Sequence, residues 1–114
     1  MGPLLDPDIL EDFDYLSRKQ GRDVYAEMTA RLVRSWPERL QQLEQAKIDR
    51  SASALARHLH SLKGTAASLG LQQLAALAGA AEQAAQQGAI DIDLVGLEAA
   101  AAAGLAAAQA RRSG

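Results

Sequence analysis

No stretch of this chain alternates apolar and polar residues with period two. Its apolar residues return in steps of three and four, between glycines that stand singly. That pattern predicts helices throughout. Alanine and leucine, both strong helix formers, dominate the composition, and β-branched residues are few. With 114 residues and 48% hydrophobic content the chain fits one domain with its own core. It contains no cysteine, so neither a disulfide nor a zinc–thiolate site holds it together.

Five helices are expected. The first runs from about Asp6 to Gln20, with Asp6 as N-cap, Pro7 in the first helical position and Gly21 as the stop. The second spans Arg22 to Lys47 and carries the stripe Tyr25, Met28, Leu32, Trp36, Leu40 and Leu43. Pro37 lies inside it, so a kink or short break is expected near Ser35-Trp36. The third starts after Asp49, Ser51 or Ser53 and runs to Leu69. The fourth runs from Leu71 to Gln87, and the fifth from Asp91 or Asp93 to about Ala110. Short connections between long amphipathic helices favour antiparallel neighbours. The expected fold is therefore all-α: an up-down-up-down four-helix bundle of helices two to five, with a short N-terminal helix capping one end. Residues 1–114 read as a single domain without internal repeat, with loose ends at 1–5 and 111–114.

Several function classes are disfavoured. Net charge is −2, with no basic stripe, and aromatic residues are scarce, so nucleic acid is not an expected partner. No run reaches the roughly 18 apolar residues of a membrane span. The chain does not open on a basic stretch followed by an apolar one, so no secretory signal is expected. A cytoplasmic location without membrane contact is the expectation. There is no glycine-rich phosphate loop and no repeated Glu-x-x-His pair, so neither ATP binding nor a di-iron bundle is expected.

The chemistry concentrates on the third helix, SASALARHLHSLKGTAASLG. At about 100° per residue, Leu55, Leu59, Leu62, Ala66 and Leu69 share one face. His60 lies roughly 140° from the centre of that face and points to solvent. Gly64 is one turn further along, Lys63 sits on the flank nearer the core, and Ala56 and Ala67 complete the patch. A glycine in mid-helix costs about 1 kcal/mol relative to alanine. Here it leaves the imidazole unshielded, which makes sense if a partner must bring a phosphoryl group in line with a ring nitrogen. A neutral imidazole has a lone pair for that attack, and Lys63 supplies positive charge to phosphoryl oxygens. Taken singly, a surface histidine or a mid-helix glycine has no special meaning. His, Lys and Gly at positions 0, +3 and +4 on an open face form a narrower coincidence.

The segment HSLKGTAASLG, His60 to Gly70, resembles the signature of the histidine-containing phosphotransfer domain family. The flanking LARHL and LQQLAALAGAAEQA, and WPERLQQL on helix two, resemble it as well. The likeness covers Leu32 to Gly88, and the ends only by helix count. It implies that His60 is phosphorylated through Nε2, that Lys63 assists the phosphoryl group, and that Gly64 keeps the site open. It also implies a polar residue on the next helix holding the other ring nitrogen. Register nominates Glu82: His60 stands ten residues before the Gly70 turn and Glu82 twelve after it, at similar heights on antiparallel helices. A carboxylate accepting from Nδ1–H leaves Nε2 free. The alternative is a solvated glutamate; Gln83 and Gln86 are weaker candidates. Arg57, exposed one turn before His60, either adds positive charge for an acidic partner or is simply solvated. His58, at the margin of the core stripe, reads as a half-buried structural residue.

The function so implied is a phosphorelay intermediate without kinase activity of its own. It would take a phosphoryl group from a receiver-domain aspartate onto His60 and pass it to another. Its partners would be response-regulator receivers and a hybrid sensor kinase. It would hold no resident cofactor, Mg²⁺ coming from the receiver, and would act as a monomer. Two alternatives stand beside it: the phospho-accepting domain of a chemotaxis-type histidine kinase, and a helical interaction bundle without phosphate chemistry.

Overall fold

The computed structural model describes residues 4–113, the last two by their backbone alone. Five helices follow in order: α1 (Pro7–Gln20), α2 (Val24–Ile48), α3 (Ala52–Ser68), α4 (Gln72–Gln86) and α5 (Leu94–Ser113). Among the described residues there is no strand, only a single antiparallel bridge between Leu5 and Leu71. No helix among them is long and apolar enough to cross a membrane.

Local chemistry sets the helix ends. Asp6 accepts from the Asp8 amide at 3.0 Å ahead of Pro7, and Gly21 closes α1 in the left-handed region at φ 67°. Asp23 caps α2 through the Ala26 amide, so α2 begins two residues later than expected, and Ser51 caps α3 through the Ala54 amide. Asp93 accepts from the Gly96 amide at the start of α5. Of the kink or short break expected near Ser35-Trp36, no break forms: α2 is helical through Pro37. A proline withholds the one bond its own nitrogen would donate. The adjacent turn is fastened independently, with Ser35 Oγ donating to the Leu32 carbonyl and Arg39 tying α2 to α3.

The core lies among α2, α3, α4 and α5. Leu55, Leu59, Leu62 and Ala66 of α3 face Leu74, Ala78 and Ala85 of α4, with Tyr25, Leu32 and Leu43 from α2 and Leu97, Ala100, Ala101 and Ala108 from α5. The α3 stripe is buried as its periodicity predicts. On α2 only Tyr25, Leu32 and Leu43 of the expected stripe are buried; Met28, Trp36 and Leu40 remain half-buried. In sequence, α3 packs on α2, α4 on α3 and α5 on α4, and α5 returns to α2, while α1 lies against α2.

The α3–α4 turn is the tightest joint. Gly70 adopts φ 71°, and a Cβ there would stand 3.2 Å from Ile9 Cβ. Its carbonyl accepts from the Asp6 amide at 2.8 Å, and the Gln72 amide donates to the Leu4 carbonyl. Of the residues expected among the loose ends, Leu4 is thus hydrogen bonded to this turn and Leu5 is bridge-paired with Leu71. At the other end, α5 continues past Ala110, and Arg111 pairs with Asp14 of α1. Met1, Gly2, Pro3 and Gly114, also expected to be loose, lie outside the described residues.

Tyr25 bolts this end of the molecule. Its ring packs on Phe13 at 4.9 Å between centroids, and its hydroxyl donates to the Leu69 carbonyl at 2.7 Å. Tyr25→Phe removes the donor and leaves a buried carbonyl short of a partner. It is expected to cost about 1–2 kcal/mol, read as a lower urea midpoint with an unchanged slope.

Candidate functional site

His60 stands on α3 with its side chain 70% exposed. Its Nδ1 lies 2.9 Å from Glu82 Oε2 on α4. The other carboxylate oxygen, Oε1, lies 3.2 Å from Lys63 Nζ. Register on the hairpin therefore brings together three of the residues the sequence singles out. Gln86 adds a longer bond from Nε2 to Glu82 Oε2 at 3.4 Å. Gln83 is exposed.

Glu82 is only 6% exposed, unusual for a glutamate at the rim of a bundle. Burial pushes its carboxyl up. Hydrogen bonds from Lys63 and His60, and the positive charge they bring, more than reverse this and hold the group below the usual carboxylate range. Glu82 is therefore ionised near neutral pH, and a carboxylate only accepts hydrogen bonds. The hydrogen between Glu82 and the ring must then sit on Nδ1. In the neutral imidazole that leaves the lone pair on Nε2, the nitrogen facing away from α4.

Two glycines shape the space around the ring. A Cβ at Gly64 would meet nothing within 4 Å, so the helix surface below His60 is open. Gly79, on α4, is a residue the sequence reading did not use. A Cβ there would lie 3.1 Å from Lys63 Cδ, so the missing side chain lets the Lys63 stem cross α4 toward Glu82. The register that nominated Glu82 also pairs position 63 with 79, and that signal could have found it.

On the other side of His60, a groove of about 690 Å³ opens between α2 and α3. Its floor includes Leu32 and Leu69, its walls His60, Ser61, Gly64, Thr65 and, from α2, Arg39. Arg39 also escaped the sequence reading, although it extends the Met28–Leu32–Ser35 face of α2 by one turn. Arg57 is exposed and makes no ion pair among the described residues. His58 is half-buried; burial, and then the charge of Arg57, push its imidazole below the ordinary range. Two residues from His60, it lies on another face of α3.

Because folding lowers the Glu82 carboxyl below its unfolded value, the carboxylate contributes stability that is complete above the unfolded value, near 4.3. That contribution is lost as pH falls through the lower, folded value. Urea titrations of wild type and Glu82→Gln are expected to differ most at pH 6 and to converge as pH falls below 4. A gap that persists at low pH contradicts the ionised bridge. Gly64→Ala fills open space on a helix and is expected to raise stability by up to about 1 kcal/mol. A loss of stability in denaturant titration would mean that Gly64 serves packing.

A family model described as Hpt domain matches residues 27–111. No curated protein and no solved structure gives a match. The matched segment covers most of the chain and all of α3 and α4, including His60, Lys63, Gly64 and Glu82. The chain belongs to the Hpt domain family, the helical histidine phosphotransfer modules of two-component signalling.

Proposed function

We propose that this protein is a phosphorelay intermediate that accepts a phosphoryl group on His60 Nε2 from a receiver-domain aspartate and returns it to the aspartate of another receiver. The observation that carries the reading is the Glu82 bridge, which fixes the proton on Nδ1 of an exposed ring. In this reading helices α2 to α5 form an up-down-up-down bundle that serves as a rigid mount, and α1 covers its end.

The Nε2 lone pair attacks phosphorus in line as the bond to the aspartyl oxygen breaks, and the electron pair leaves on the carboxylate. The ring keeps its Nδ1 hydrogen and gains positive charge as the N–P bond forms. Ionised Glu82, 2.9 Å away, stabilises that charge where it develops. Lys63, whose ammonium shares the Glu82 carboxylate with the ring, offsets negative charge on the phosphoryl oxygens. Gly64 leaves room for the partner, and exposed Arg57 adds to the local positive field. The divalent cation of the reaction belongs to the receiver. The chain carries the phosphoryl group and has no kinase activity of its own.

A second reading keeps the same acceptor and changes the donor: the phospho-accepting domain of a chemotaxis-type kinase, fed from ATP by a kinase domain. The Glu82–His60 hydrogen bond supports it equally, because a carboxylate behind the ring makes Nε2 a better nucleophile toward either donor.

Incubation with radiolabelled phospho-receivers is expected to label the wild type and not His60→Gln. Gly64→Leu is expected to fold and to lose at least about tenfold in transfer rate, since its side chain would block the approach that in-line transfer requires. Equal labelling of His60→Gln would sink both readings. Label arriving only from a kinase domain with ATP would select the second.

A further inference from the structure

The groove between α2 and α3 carries a charge pattern that the His60–Lys63–Glu82 cluster does not explain. Arg39 enters it from α2, and neutral hydroxyls hold all three of its side-chain nitrogens. Nε donates to Ser35 Oγ at 3.3 Å, Nη1 to Ser61 Oγ at 3.3 Å, and Nη2 to Thr65 Oγ1 at 3.1 Å. Ser35 Oγ is itself oriented by donating to the Leu32 carbonyl. Among the described residues no carboxylate pairs with Arg39. Lys63 differs: its charge is met by Glu82 at 3.2 Å.

A guanidinium has five N–H donors. Three bonds to hydroxyls fix its plane, leave two donors over and neutralise none of its charge. Arg31 lines the same groove, and no aspartate or glutamate does. A chain of net charge −2 thus gathers uncompensated positive charge on the groove beside His60. A simple strap between α2 and α3 would gain more from a carboxylate than from hydroxyls. Hydroxyl acceptors suit a cation that is to be oriented in advance and still meet an anion from outside.

We propose that Arg39 is a docking residue for the phosphoryl donor. Its guanidinium, preset by Ser35, Ser61 and Thr65, contacts the acidic, phosphoryl-bearing surface of the protein that presents its phospho-aspartate to His60. The inference rests on the phosphotransfer reading above and names a residue that selects the partner. Arg39 acts through binding and touches no reacting atom.

The test measures transfer from radiolabelled phospho-receivers at several salt concentrations, beside labelling of His60 by phosphoramidate, a donor too small to need docking. Arg39→Gln is expected to raise KM for the phospho-receiver about tenfold, to leave kcat and phosphoramidate labelling near wild type, and to flatten the salt dependence. Arg39→Lys, which keeps the charge, is expected to recover most of the KM. Ser61→Ala with Thr65→Val keeps Arg39 and its bond to Ser35 but removes the two α3 hydroxyls that preset it, and is expected to raise KM about threefold. That variant decides the matter if Arg39→Gln proves unstable. Unchanged KM in Arg39→Gln, or in the hydroxyl double variant when Arg39→Gln does not fold, overturns the proposal. So does an equal loss of phosphoramidate labelling in folded protein. If the wild type takes label from no receiver, the relay reading fails and this inference with it. If the wild type is labelled and the variants match it, only the role of Arg39 fails.

Discussion

The close approach of α4 to α3 is the constraint on which the site depends. Helix separation is set by the side chains at the contact, and α4 offers Ala78, Gly79 and Ala85 where it meets the leucines of α3. A larger residue at position 78 or 85 would push the helices apart. Glu82 would then no longer reach the ring across the hairpin. The small residues that make α4 look featureless in sequence are what bring its one buried carboxylate within 2.9 Å of His60 and 3.2 Å of Lys63.

Burying a carboxylate is costly unless charge and hydrogen bonds compensate it. Glu82 meets that condition with both oxygens, and no buried polar side-chain atom among the described residues lacks a partner. The same bridge holds two side chains that are otherwise long or exposed. It aligns the imidazole and sets its tautomer, and it lays the lysine across Gly79. Across α3 the arrangement is reversed. Arg39 is held by oxygens without charge, so its field remains available. The two sides of His60 thus differ in kind, a neutralised cluster toward α4 and a cationic groove toward α2.

Most of the fold was legible because it rests on local rules. Periodicity placed the α3 stripe, and Asp6, Ser51, Gly21 and Gly70 marked helix ends that the structure places within a residue or two. Of the kink or short break expected near Ser35-Trp36, the break is the part that did not form. A proline removes one hydrogen bond, and the tertiary ties from Arg39 to α3 act beside the weakened turn. Loose ends were likewise inferred from composition, whereas Leu4 and Arg111 find partners on elements distant in sequence.

The sequence by itself determined the helices, the outward face of His60 and, through register about Gly70, the approach of Glu82. Each follows from rise and rotation along one helix or one tight hairpin. Only the tertiary structure decided that Glu82 is buried and shared with Lys63, that Gly79 seats the lysine stem, and that Arg39 turns toward α3 with no acidic partner among the described residues. Those facts depend on how far apart two helices lie and how they are rotated against each other. That geometry is set by the summed packing of many side chains, and no local spacing encodes it.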